Sequence, residues 1–570
     1  MITRRTIAAL LFASSLLGQS AIPDTPAGRM DQIVQSYVSN KQFMGSVLVA
    51  RGNEVLFSKG YGSANLEWEI PNTPSTKFRL GSVTKQFTAA SILLLEERGK
   101  LKVDDPVKKY LPAAPAAWNK MTIFHVLTHT AGIPNFTGFA DYASSEPFPT
   151  TPEKLVARFR DKPLEFEPGE KWNYSNSGYV LLGYLIEQIS GQSYERFVQE
   201  NIFTPLGMKD SGYDSNSAVI ARRAAGYAPG PNGPVNAGFI HMSVPYAAGS
   251  LYSTTEDLLR WEQGLFGGKL LSAASLQKMT TPFKSDYAFG VQVHTVNGRK
   301  VIDHDGGIEG FNTRLAYYPQ DKLTVVVLGN LKGPAPQQIA STLAAVAHGE
   351  TVTLQSERKE ITLDPKVLGR YVGAYQMSPA VNMLITLDNN QLLSKLTNQG
   401  AIPIFPESET KFFVKVVDAQ LEFSGSDAQG RATQLILHQN GRDMPAKRLD
   451  AAVFKRLADA EAEFQKRFAD QTPVPGSEAA VRRIIEELRL GQPNYDLMSP
   501  GLAAAIRQHL PRLESDIKQL GSVQAISFKG VGPGGADIYQ IKFENGSWEG
   551  RIWLGPDGKI ESANVHPVNE

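Results

Sequence analysis

The stretch Phe78-Arg79-Leu80-Gly81-Ser82-Val83-Thr84-Lys85-Gln86-Phe87 decides how the chain is read. An extended run ends at Gly81. From Ser82 to Arg98, Val83, Phe87, Ala90, Leu94 and Leu95 recur at helical spacing, and Gly99 supplies a stop. Residues three apart on a helix share a face, so the Ser82 hydroxyl and the Lys85 amine can meet. Ser82 also stands in the positive field of the helix N-terminus. A hydroxyl, a base within reach and stabilisation for developing negative charge make an activated nucleophile. Ser-x-x-Lys alone does not select, because it also starts at Ser275, Ser356, Ser408 and Ser515. Only at Ser82 does it open a long apolar helix directly after a strand-like run and a glycine. The competing reading of Ser82 is a plain N-cap, with Lys85 in solvent.

Two more stretches carry polar groups in suggestive settings. Tyr174-Ser175-Asn176 lies between Pro168-Gly169 and an apolar helix from Gly178 to Ser190. A tyrosine near a lysine can relay a proton, because a cation favours its ionised form. His304-Asp305-Gly306-Gly307 follows the strand-like Val301–Asp303. Glycines at a strand edge let a substrate backbone approach. The Gly307 N–H, with that of Ser82, would make a two-donor oxyanion hole. The bland readings are a tyrosine packed at a loop-to-helix junction and a surface histidine in a turn. His125 and His129, four apart on an expected helix Thr122–Thr130, resemble a metal pair. They lack the glutamate of a zinc-protease motif and a third ligand, so both read as structural.

The surrounding pattern gives the frame. Strands are expected at Gly45–Ala50, Glu54–Ser58, Phe289–Val296, Lys300–Asp303, Arg314–Tyr318 and Leu323–Leu328, the last apolar throughout and therefore central. Helices are expected at Met30–Val38, Thr255–Gly264 and Gln337–Ala347. Strands at both ends with helices between predict one antiparallel sheet covered by helices, with a helical subdomain inserted. Residues 348–363 read as a linker. Short strands from Tyr371 to His438, with turns such as Asn440-Gly441, predict a small all-β barrel domain over 364–450. A charged helix, Ala451–Ala469, precedes helices at Glu478–Leu490 and Gly501–Leu510. Strands at Val523–Lys529, Asp537–Phe543, Trp548–Leu554 and Lys559–Val565 complete an α+β domain over 475–570.

A length of 570 residues predicts several domains. Hydrophobic content of 42% with 20% charged residues describes a globular chain with ample core. A net charge of +1 gives no support for nucleic-acid binding. The absence of cysteine excludes disulfides, thiolate catalysis and Cys-ligated metals. Arg4 and Arg5, the apolar run Thr6–Leu17 and Gly18-Gln19-Ser20 read as a secretory signal over residues 1–20. The expected location is therefore periplasmic or secreted, with no stable membrane anchor.

Ser82-Val83-Thr84-Lys85, Tyr174-Ser175-Asn176 and His304-Asp305-Gly306, in this order and at these separations, resemble the penicillin-recognising serine hydrolases. The group contains class C β-lactamases, D-alanyl-D-alanine carboxypeptidases, D-aminopeptidases and related esterases. Leu127-Thr128-His129-Thr130-Ala131-Gly132-Ile133-Pro134, Pro205-Leu206-Gly207-Met208 and Ala248-Gly249-Ser250-Leu251-Tyr252-Ser253-Thr254 add to the resemblance. It implies a multidomain chain with a β-lactamase/transpeptidase-like α+β hydrolase domain over 25–347. It implies that Ser82 forms an acyl-enzyme and that Lys85 and Tyr174 share the proton. Asn176, His304, Gly306 and Gly307 would line the substrate and oxyanion site. The substrate would be a small peptide, ester or β-lactam, with no cofactor and no metal. Lys-Thr-Gly is absent and His304 fills its place, so a permanent cation for a substrate carboxylate is missing. Ser-Asp-Asn is absent too. The expectation is an esterase or peptidase rather than an efficient β-lactamase.

Overall fold

The computed structural model describes residues 25–567 apart from 231, 379–380, 398, 440–441, 533 and 556. The secretory-signal reading of residues 1–20 and the Asn440-Gly441 turn lie outside the described residues. The chain divides into two units, one ending at Leu354 and the other beginning at Gln355.

The first unit is built on a six-stranded antiparallel sheet. Its order is Gln292–Val296, Arg299–Ile308, Phe311–Tyr318, Leu323–Gly329, Gly45–Arg51 and Glu54–Tyr61. The expected central strand, Leu323–Gly329, is buried along its whole length. Successive side chains on a strand point to opposite faces, and the core divides accordingly. Val47, Val49, Val325 and Val327 face the helices Pro26–Ser39 and Ala335–Ala347. Leu48, Leu315, Val326 and Leu328 face a larger core containing Phe87, Tyr179 and Trp261. The helix Thr84–Glu97 runs through that core, with every residue from Thr84 to Leu95 buried.

Three features of the unit differ from expectation. The Arg299–Ile308 strand carries His304 to Gly307 inside it, paired as His304 with Leu315, Gly306 with Thr313 and Gly307 with Asn312. Two consecutive glycines read as a turn, and cross-strand pairing overrides that preference. Helix Thr122–Thr130 shortens to Ile123–Leu127, and His129 lies beyond it with φ +57°. The two histidines are therefore not on one helical face. The long helix begins at Thr84, after a short 3-10 turn at Gly81–Val83 that contains Ser82.

The second unit holds a closed eight-stranded antiparallel barrel, Gly373–Ser378 to Arg442–Arg448. Two of its strands, Ile402–Pro406 and Arg442–Arg448, escape a sequence reading because they carry prolines or charge rather than alternation. Helices Ala451–Asp470, Ser477–Arg489 and Pro500–Leu520 follow, then a four-stranded antiparallel sheet. The last helix runs through Pro511, where the sequence suggests a stop. Tyr539, Ile541 and Phe543 are buried core, as their alternation predicts.

Candidate active site

Ser82 is placed by a turn pinned on three sides. Phe78 and Arg79 pair with Ser253 and Tyr252, so the Leu251–Ser253 strand supports the approach to Ser82. The Leu80 N–H donates to Leu251 O at 2.8 Å, and Thr313 Oγ1 donates to Leu80 O at 2.8 Å. Gly81 adopts φ +54°, a conformation that favours glycine. A Cβ there would stand 2.8 Å from the Gly307 nitrogen, so this glycine lets the Arg299–Ile308 strand lie against the turn. A Cβ on Gly306 would stand 1.9 Å from Leu80 O. The closeness that Gly306 permits is therefore to the Ser82 turn itself and not to a substrate backbone.

The Ser82 side chain makes no N-cap bond. Its Oγ instead lies 3.0 Å from Lys85 Nζ and accepts from the Tyr174 hydroxyl at 2.8 Å. Ser82 is partly exposed, while Lys85 is fully buried. Lys85 Nζ has two further oxygens, Asn176 Oδ1 at 2.9 Å and the Ala248 carbonyl at 2.9 Å. It sits 4.9 Å from the Tyr174 ring centroid and 5.5 Å from that of Tyr179. Burial disfavours the ammonium and pushes Lys85 down to about 7, with the Asp305 carboxylate opposing the shift. Burial pushes the Tyr174 phenol up, so it stays protonated and donates.

Asn176 is the first residue of the helix Asn176–Ser190, which fixes its amide between Lys85 and Thr137 Oγ1, the latter at 3.3 Å. His304 differs from its expected role. It is buried, its Nδ1 donates to Asp305 O at 2.5 Å, and its Nε2 accepts from Tyr287 at 3.0 Å. Both ring nitrogens are engaged within the protein. Burial pushes the imidazole down to about 4, so it is neutral rather than partly charged near neutral pH.

The structure thus brings Ser82, Lys85, Tyr174 and Asn176 together and sets Gly307 beside the Ser82 turn. Three contributors escape a sequence reading. The Ala248 acceptor is a backbone carbonyl, which has no side-chain signature, although the stretch Ala248–Thr254 flags the region. Tyr287 lies in an irregular segment without periodicity. His129 looks structural until its partners are known. Among the described residues no group of three or more His, Asp or Glu side chains could hold a metal ion, and no helix is long and apolar enough to cross a membrane.

Residues 30–349 match the Beta-lactamase family, and residues 357–462 match a domain of unknown function, DUF3471. The chain is 31% identical over 437 residues to penicillin-binding protein 4* of Bacillus subtilis (strain 168), covering 71% of this chain and 95% of that one. It is 28% identical over 321 residues to protein flp of Staphylococcus aureus (strain MW2), covering 53% of this chain and 63% of that one. Among solved structures, the octameric penicillin-binding protein homologue from Pyrococcus abyssi aligns with a TM-score of 0.52 and 27% identity. That alignment covers 74% of this chain and 99% of that chain. With the fold, the Ser82 turn and these matches in hand, the chain belongs to the Beta-lactamase family.

Proposed function

We propose that the chain is a serine hydrolase that cleaves amide or ester bonds of small D-amino-acid peptides or related esters through an acyl-enzyme on Ser82. The observation that carries the proposal is the position of Ser82 Oγ, 3.0 Å from the Lys85 amine and 2.8 Å from the Tyr174 hydroxyl. Lys85, deprotonated for much of the time near neutral pH, takes the Ser82 proton as Oγ bonds to the substrate carbonyl carbon. The carbonyl electron pair moves to oxygen, where the N–H groups of Ser82 and Gly307 are the assigned donors. When the tetrahedral species collapses, the bond to the amine or alcohol breaks. The proton held by Lys85 returns to the leaving group with Tyr174 as relay. Water then releases the acyl group by the same path in reverse.

The neutral, internally bonded His304 favours substrates that do not need a cation to grip a carboxylate. That supports short-chain esters as a second substrate class and weighs against efficient turnover of β-lactams. Export rests on the Arg4–Ser20 sequence alone. The test is labelling by a serine-directed fluorophosphonate, together with a panel of D-amino-acid amides, short-chain esters and a chromogenic cephalosporin. Labelling is expected in the parent and absent in Ser82→Ala. Ser275→Ala, Ser356→Ala, Ser408→Ala and Ser515→Ala should label normally. Stoichiometric labelling of Ser82→Ala would remove the assignment.

A further inference from the structure

The proposed chemistry leaves one buried imidazole unused. His129 is 2% exposed and stands beside the site, its ring centroid 4.4 Å from that of Tyr174, 4.6 Å from Tyr287 and 5.1 Å from Tyr179. Tyr174 itself lies on residues 171–175, which form no helix or strand. Its placement against Ser82 therefore depends on what ties that segment down.

We propose that His129 is a positioning residue for Tyr174, gripping the chain immediately before and after it. The Asn173 N–H donates to the His129 carbonyl at 3.0 Å, and the Ser175 N–H donates to His129 Nδ1 at 3.2 Å. One residue thus holds both peptide neighbours of the tyrosine while its ring packs against the phenol ring. The left-handed backbone at His129, φ +57°, is uncommon for a residue with a Cβ. It occurs where the helix Ile123–Leu127 has ended and the chain turns to lie along 165–175. Neighbouring bonds continue the seam: Gly169 N–H to Thr130 O at 2.8 Å and Glu165 N–H to Gly132 O at 2.8 Å.

The imidazole has one form that fits. Nδ1 accepts from Ser175, so the proton is on Nε2, which has no hydrogen-bond partner among the described residues and lies among aromatic rings. Burial, with Lys85 and His304 nearby, pushes its pKa well below the ordinary histidine value and so favours the neutral ring whose Nδ1 accepts. A histidine here supplies a ring, a side-chain acceptor and a carbonyl from one position.

This role rests on the reading of Tyr174 as part of the proton relay, and the test separates the two. His129→Leu removes the side-chain acceptor. His129→Asn restores one, since Asn Oδ1 stands where Nδ1 does, and asparagine tolerates the left-handed backbone. Each is made in the parent and in Tyr174→Phe, and the rate of Ser82 acylation by an activated ester is measured with kcat and KM. His129→Leu should slow acylation about 10- to 100-fold, the scale of misplacing a reacting group by up to an ångström. KM should change less than about threefold. His129→Asn should recover most of the loss, and His129→Leu should add no further loss to Tyr174→Phe.

Equal factors in both backgrounds, or His129→Asn as slow as His129→Leu, would overturn the proposal. A slow Tyr174→Phe with a normal His129→Leu removes only the role of His129. A normal Tyr174→Phe removes the relay reading and this one with it. If His129→Leu does not fold, His129→Phe, which keeps a buried ring without the acceptor, replaces it in the cycle. Failure of both to fold assigns His129 to stability and overturns the proposal.

Discussion

A neutral lysine amine has two N–H groups and one lone pair, and Lys85 has three oxygen neighbours. Asn176 Oδ1 and the Ala248 carbonyl can only accept, so they take the two N–H groups. The lone pair is left facing Ser82 Oγ, the one neighbour that can donate. Ser82 Oγ accepts in turn from Tyr174, which burial keeps protonated. The deprotonated amine is thus fully satisfied in the one orientation that removes the Ser82 proton. This gives a pH prediction with a definite sign. Lys85 falls from its ordinary 10.5 to about 7 in the folded chain. Acylation by an uncharged ester should rise about tenfold per pH unit below that value and level off above it. A base with the raised pKa of Tyr174 would instead keep the rate climbing beyond pH 9, and that profile in single-turnover kinetics would exclude Lys85 as the acylation base. The same shift acts on stability. Between about 7 and 10.5 the unfolded chain holds the extra proton at Lys85, so this residue's burial penalty is full below that window and fades as pH rises through it.

At the scale of the element, the site is a joint between two pieces of backbone: the Leu80–Gly81 turn and the half of the Arg299–Ile308 strand beyond Asp303. Pairing with Gln292–Val296 ends at Asp303, which leaves that half free to meet the turn. Gly306 and Gly307 play different parts there. A Cβ on Gly306 would stand 1.9 Å from Leu80 O and 2.4 Å from Thr313 Oγ1, whereas one on Gly307 would meet only Asn312 Nδ2, at 3.4 Å. Gly306→Ala should therefore push the strand off the turn, lower stability by about 1–3 kcal/mol as overpacking does, and slow acylation. Gly307→Ala should keep close to parental stability. Equal thermal midpoints for the parent and Gly306→Ala would show that the joint has slack. Legibility in the sequence follows the same physics. The Ser82 helix and the central strands were readable because apolar periodicity at 3.6 or 2 survives burial on one face or both. The strand status of His304 and Gly307 was not, because two glycines signal a turn and only the partner strand overrules them. The sequence pattern places His129 in a helix that ends two residues earlier, at Leu127.

Across the whole molecule, the groups assigned to the chemistry run from Ser82 to Gly307 and lie in the unit that ends at Leu354. That unit has a core of its own on each face of its sheet. The barrel and the C-terminal sheet each have a separate core, built from residues beyond 360. The barrel is legible as a class because six of its eight strands are short apolar runs set apart by turn signals, while its proline-bearing strands are not. Where the first unit closes is a finer matter than composition shows. The polar run 348–363 reads as linker, yet Val352 and Leu354 pack against the core on the Pro26–Ser39 side of the sheet. Arg299 pairs with Glu350, and the Arg29 guanidinium donates to the Val352 carbonyl. Residues 350–354 therefore belong to the folded unit, and a domain with its own core can stand alone. A chain ending at Leu354 should fold and hydrolyse a small activated ester with kcat within about threefold of the full-length protein, since no assigned group is removed. A chain ending at Gly349 should be less stable, having lost the apolar cover of Val352 and Leu354 and the Glu350 and Val352 partners. The comparison needs thermal midpoints and kcat on the same ester for all three chains. If the chain ending at Leu354 folds but does not turn over the ester, residues beyond 354 contribute to the catalytic centre, and the placement of the whole chemistry in the first unit is wrong.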